Sequence, residues 1–96
     1  MFDTLDPMLH SQLRLSVMSL LVSVVQADFV YLKEKTGATA GNLSVQIDKL
    51  AAAGYIEIIK GFRGKKPLTS CRITPKGITA FENYVETLKK YIDLKP

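Results

Sequence analysis

Residues 54–77, GYIEIIKGFRGKKPLTSCRITPKG, read as two short strands joined by a basic, glycine-containing tip. Between Glu57 and Glu82 stand six basic residues, Lys60, Arg63, Lys65, Lys66, Arg72 and Lys76, and no acidic one. The remainder of the chain holds seven basic and nine acidic residues, so the whole net charge of +4 comes from this hairpin and its exit. Charge gathered on one element looks like an electrostatic footprint for phosphate, whereas charge spread evenly serves solubility. Lysines at a tip can also protect an edge strand against aggregation. That use does not require Gly61 and Gly64, which free the tip to lie close against a backbone, so phosphate contact is the favoured reading.

The preceding stretch, TAGNLSVQIDKLAAA over 39–53, is expected to be a helix: Leu43, Ile47 and Leu50 recur at intervals of four and three, and Gly54 follows as a stop signal. Its other face carries Gly41, Asn42, Val45 and Lys49, flanked by Ser44 and Gln46. These short polar or small side chains can approach base edges and phosphates closely. On periodicity alone, the same face reads as merely solvated; the basic hairpin behind it tips the balance. Further upstream, DFVYLKEKTGAT reads as a short helix capped by Asp28 with Phe29 and Leu32 inward, a tight turn at Gly37, and a new N-cap at Thr39. A short helix, a glycine turn, a second helix and a basic hairpin follow the order of a winged helix-turn-helix.

The run from Thr39 to Phe81 resembles the winged-helix regulators of the MarR type, in a minimal form with little beyond the DNA-binding core. Gly41, Asn42, Leu43, Ser44, Lys49, Leu50, Gly54 and Tyr55 carry the resemblance, with the tip Gly64-Lys65-Lys66-Pro67 and with Thr74, Gly77 and Phe81 opening the last helix. Asp28, Phe29, Leu32, His10 and Arg14 extend it over nearly the whole chain. The expected fold class is therefore α+β, mostly helical with a small antiparallel hairpin wing, and the expected activity is binding of double-stranded DNA to regulate transcription. Residues 39 to 49 would enter the major groove, with Asn42 and Gln46 hydrogen-bonding base edges and Val45 meeting a thymine methyl. Thr39, Ser44 and Lys49 would reach phosphate or adjacent edges, and Gly41 would allow close approach. Arg63, Gly64, Lys65 and Lys66 would lie along the adjacent minor groove or backbone and supply mostly sequence-independent attraction.

Length and composition agree. A chain of 96 residues with 47% hydrophobic and 23% charged residues is expected to form one globular domain with a single core, and not a disordered basic tail. Asp3 and Asp6 occupy the place of a positive signal-peptide n-region, and the most apolar run, Val17 to Val25, is shorter than the ~20 residues of a membrane span. The lone Cys71 suits a reducing cytoplasm. Asp6-Pro7 is expected to cap a first helix running to about Val25, with an inner stripe of Leu9, Leu13, Val17, Leu20, Leu21 and Val24, while Leu15, Met18 and Val22 lie outside it. A helix apolar nearly all round must be buried on more than one side. Thr74-Pro75 repeats the cap-and-proline device and opens a final helix whose Ile78, Phe81, Val85, Leu88 and Ile92 form a heptad-like seam, widened by Tyr84 and Tyr91. Surplus apolar surface on the first and last helices points to a homodimer.

Other chemistry finds little support in the residues. His10 and Cys71 are the only histidine and cysteine and stand far apart, so no metal-ligand spacing exists and no cofactor is expected. Ser44 and Ser70 have no histidine nearby in sequence to activate them, Asp48 and Glu57 are the only acids near the DNA face, and Gly61-x-x-Gly64 opens no helix; an enzyme is not expected. Arg14 is open between a phosphate contact and pairing with Glu57 or Asp48. Two further classes stay open: a protein-interaction winged helix that makes no groove contacts, and a binder of structured RNA, for which Phe62 is the only stacking platform in the basic region.

Overall fold

The computed structural model describes residues 3–92. The elements run α1 (Gln12–Val24), β1 (Gln26–Asp28), α2 (Phe29–Thr36), α3 (Ala40–Ala52), β2 (Ile56–Arg63), β3 (Lys66–Ile73) and α4 (Pro75–Ile92). The three strands form an antiparallel sheet in the order β1-β3-β2. This is the expected α+β winged helix with one addition, the strand β1. Gln26, Ala27 and Asp28 pair with Arg72, Cys71 and Ser70, so β3 is the central strand. Three residues that run directly into a helix carry too short a pattern for alternation to reveal them.

The chain enters β1 through Val25, which adopts φ +70 and ψ −48, a region that a β-branched residue seldom occupies. Backbone hydrogen bonds hold it on both sides: its amide donates to the Leu21 carbonyl at 2.7 Å, and its carbonyl accepts from Ile73 at 3.0 Å. The sharp reversal lets α1 pass straight into a strand without a connecting loop.

The first helix begins later than Asp6-Pro7 suggests. Asp6 does cap a turn, accepting from the Met8 amide at 2.9 Å, while its carbonyl takes the amides of Leu9 and His10. The turn does not propagate, because Ser11 is extended at φ −151 and serves as the true N-cap, its hydroxyl accepting from the Arg14 amide. Serine's competition with the helical backbone at such positions sets the boundary. The inner stripe shifts accordingly: Val17, Met18 and Leu21 are buried, Met18 included, whereas Val24 is exposed. The helix touches α2, α3, α4 and β3, which accounts for its being apolar nearly all round.

The remaining caps fall where the sequence places them. Asp28 Oδ1 accepts from the Tyr31 amide at 2.8 Å, Gly37 closes α2 in the left-handed region, and Thr39 accepts from the Asn42 amide at 3.2 Å to open α3. Leu43, Ile47 and Leu50 of α3 join Leu9, Val17, Met18, Leu21, Leu32, Ile56 and Cys71 in one core. Burial raises the Cys71 thiol to about 11, helped by the charge of Asp48, so it remains a neutral core side chain.

At the head of α4, Thr74 Oγ1 accepts from the Gly77 amide at 3.0 Å and donates to the Gly54 carbonyl at 2.7 Å. Gly77 lies so near the preceding turn that a Cβ there would stand 2.1 Å from the Tyr55 carbonyl oxygen. Gly77→Ala should therefore destabilise the protein by about 1–3 kcal/mol in urea or thermal unfolding, the usual cost of forced overpacking. Gly61→Ala, with no atom within 4 Å of the added Cβ, should change stability by less than about 0.5 kcal/mol. Equal effects would contradict the close approach of α4 to Tyr55.

Candidate nucleic-acid interface

Burial of the Leu43, Ile47 and Leu50 stripe turns the opposite side of α3 to solvent. Thr39, Gly41, Asn42, Ser44, Val45 and Lys49 are all exposed, Val45 by 50%. Gln46 is the one half-buried member of the set, because it lies on the flank of α3 that faces α1. Ser44 lies on the other flank, lining with Ile47, Asp48, Phe29, Lys60 and Leu68 a cleft of about 490 Å³ between α3, the start of α2 and the sheet.

Arg14 does not pair with Glu57 or Asp48, the acidic partners open from sequence. Its Nε donates to the Met8 carbonyl at 2.6 Å and its Nη1 to Gln46 Oε1 at 2.5 Å. Gln46 Nε2 in turn donates to Asn42 Oδ1 at 3.2 Å. Glu57 is taken by Arg72, 3.2 Å away. An arginine on α1 thus fixes two amides on α3; a pairing across 32 residues leaves no trace in local spacing.

The hairpin tip is built around Gly64 and Lys65, between the paired residues Arg63 and Lys66. Gly64 has φ +63 while Lys65 keeps negative φ, the pattern of a type II′ turn with glycine first. Lys65 and Lys66 project into solvent, and among the described residues neither forms an ion pair. Arg63 differs: its guanidinium lies 3.3 Å from Asp28 Oδ2. Asp28 is therefore shared, one oxygen capping α2 and the other tethering the wing. Lys76 sits over the Tyr55 ring, 5.7 Å from its centroid. Phe62, 74% exposed, is the aromatic residue that β2 sends to the surface beside the tip. Of the six basic residues, Lys60, Lys65 and Lys66 carry the least engaged charge.

Tyr55 closes the other end of the domain, its hydroxyl donating to Asp6 Oδ2 at 2.5 Å. That bond to a carboxylate, with burial second, pushes the Tyr55 hydroxyl up to about 12. The linkage is present below the ordinary value of 10.0 and lost as pH rises through about 12, so it holds the N-terminal turn at neutral pH. Among the described residues no group of three histidine, cysteine or acidic side chains could hold a metal ion. No described helix is long and apolar enough to cross a membrane.

A family model described as a winged helix DNA-binding domain matches residues 13–92. An uncharacterized protein of Methanocaldococcus jannaschii is 37% identical over 76 residues, covering 79% of this chain and 83% of that relative. A transcriptional regulator homologue from Pyrococcus horikoshii OT3 superposes with a TM-score of 0.84 at 28% identity, over 90% of this chain and 85% of that one. The transcriptional regulator BldR of Sulfolobus solfataricus gives a TM-score of 0.71 at 26% identity, over 86% of this chain and 58% of its own. A mutant MarR from E. coli, solved with operator DNA, gives a TM-score of 0.72 at 18% identity, a likeness of fold, over 86% of this chain and 57% of its own.

The double use of Asp28 can be separated by substitution. Asp28→Asn keeps an oxygen to cap α2 and loses only the exposed ion pair to Arg63, so it should cost less than about 1 kcal/mol in denaturant unfolding. Asp28→Ala removes the cap as well and should cost about 1 kcal/mol more. If the two variants are equally stable, Asp28 does not cap α2.

Proposed function

Because the chain belongs to the winged helix DNA-binding domain family, we propose that it binds double-stranded DNA sequence-specifically and regulates transcription. In this reading α3 enters the major groove, and the wing at Arg63, Gly64, Lys65 and Lys66 lies on the adjacent backbone or minor groove. The observation that carries it is the exposed row Gly41, Asn42, Val45 and Lys49, opposite the buried stripe of α3 and followed in the chain by a tip whose lysines are unpaired among the described residues. Asn42 supplies polar contact to a base edge, Val45 an apolar surface for a thymine methyl, and Thr39, Ser44 and Lys49 contacts to phosphate or neighbouring edges. Specificity then comes from the helix and affinity from the wing.

Changing Lys65 and Lys66 together to Ala should weaken binding to every duplex sequence. It should also lower the slope of log K against log salt by about 1 for each phosphate that the wing no longer neutralises. An unchanged slope removes the wing from the interface. Single-stranded DNA and RNA in the same titration distinguish a duplex binder from an RNA binder.

The working unit is a homodimer joined through α1 and α4, a cytoplasmic protein with no cofactor. On α4 the buried residues are Gly77 and Tyr84, whose hydroxyl meets His10 Nδ1 at 3.2 Å. The heptad-like seam is covered only in part: Ile78 is 41% and Ile92 68% exposed, with Phe81, Val85 and Leu88 half-buried between them. On α1, Val22 is 41% exposed while Met18 is buried, so Val22 is the part of the surplus on that helix that one copy leaves uncovered. A two-fold axis would place two copies of α3 about 34 Å apart, roughly one turn of DNA, and would demand a palindromic site. Replacing Leu88 and Ile92 with Asp should give a folded monomer with much weaker operator binding. Sedimentation of the unmodified chain as a monomer, well above its DNA affinity, would overturn both the dimer and the palindrome.

A further inference from the structure

The hydrogen-bond chain from Arg14 through Gln46 to Asn42 has a direction. A guanidinium only donates, so the Gln46 atom that faces Arg14 must be the carbonyl oxygen Oε1. The Gln46 amide nitrogen is then left to face Asn42, and the Asn42 atom that receives its hydrogen must be Oδ1. With Oδ1 turned toward Gln46, the two hydrogens on Asn42 Nδ2 are the ones offered to the exposed side of α3. Arg14 itself is anchored by the Met8 carbonyl, so the orientation is set from outside the helix-turn-helix.

We propose that Asn42 reads base edges as a donor, with Arg14 and Gln46 as positioning residues that hold its amide hydrogens outward. The proposal rests on α3 entering the major groove. An asparagine free to turn can pair bidentately with adenine, accepting from N6 and donating to N7. Asn42 held in this orientation has Oδ1 turned toward Gln46 and already accepting one hydrogen, so its accessible side is the donating Nδ2. It suits guanine, which presents O6 and N7 as two neighbouring acceptors, better than the adenine arrangement, which needs Oδ1 to face the base as well. Gln46 is engaged at both ends of its amide and acts through Asn42.

The variant Gln46→Glu tests the direction of the chain. Its carboxylate accepts from Arg14 but has no hydrogen to give, so Asn42 must turn, donate to the carboxylate and present Oδ1 to solvent. Side-chain amide spectra of the free protein read this without DNA. In the unmodified chain the Asn42 NH2 protons should both exchange rapidly with water; in Gln46→Glu one of them should become protected and shift. Selection from randomised duplexes reads the consequence. The unmodified chain should prefer guanine over adenine at one position by about tenfold or more. Gln46→Glu should bind more weakly overall and transfer the preference to adenine or cytosine, whose exocyclic amino groups donate. Arg14→Lys, which keeps a donor for Gln46, should retain the guanine preference, and Arg14→Ala should flatten it. Identical Asn42 exchange in the two proteins overturns the lock, whatever the DNA result. A turned Asn42 with unchanged base preference overturns its role as reader. Failure of the unmodified chain to select any duplex overturns DNA recognition itself, while the spectra still decide the lock.

Discussion

Burial of Leu43, Ile47 and Leu50 fixes the rotation of α3 about its axis, and the exposure of Gly41, Asn42, Val45 and Lys49 follows from that one constraint. Each of these side chains contributes about 1.5–3 kcal/mol by leaving water, far more than any single polar contact on the outer face. The outer face is thus free to carry residues chosen for chemistry instead of packing. Thr39 fixes where the helix starts and Gly54, at φ +80, where the chain leaves it. The same stripe brings Gln46 against α1, where Arg14 can reach it.

The wing depends on the same core from the other side. β3 is central because β1 pairs with it, and Cys71 and Ile73 on β3 complete the core beneath α1. The tip is an extension of the sheet that stays paired as far as Arg63 and Lys66, with Gly64 permitting the reversal. Its charge is unevenly committed: Arg63 and Arg72 are held by Asp28 and Glu57, while Lys65 and Lys66 stand clear. Exposed ion pairs of this sort are worth about 0–1 kcal/mol, so Arg63 can exchange Asp28 for a phosphate at little cost.

Much of this was legible in the chain. The cap residues Asp28, Thr39 and Thr74, the glycine turns and the three-four spacing of α3 are local signals, and local signals placed α2, α3, the hairpin and α4. Three features were not legible, each for a reason of range. The start of α1 moved from Pro7 to Gln12 because Ser11 breaks a turn that Asp6 begins, a competition between two nearby caps. Strand β1 is short and exists only through its pairing with β3. On α4, Tyr84 proved to be the core residue, with Phe81 and Leu88 packed beside it, while Ile78 and Ile92 at the ends of the seam stayed exposed, a choice of face that the spacing of the seam does not show. At the interface, the outward row of α3 was readable from periodicity, whereas the partners of Arg14 and Arg63 were not, since both pairings join residues more than thirty positions apart.

The placement of α3 in the groove is tested most directly by backbone amide shifts during titration with a duplex that the protein binds. The largest changes should fall on Gly41, Asn42, Val45 and Lys49, with a second group at Gly64, Lys65 and Lys66 and little movement at Asp48 or along the cleft that Ser44 lines. Changes concentrated on that cleft, with the row from Gly41 to Lys49 undisturbed, would contradict recognition by α3.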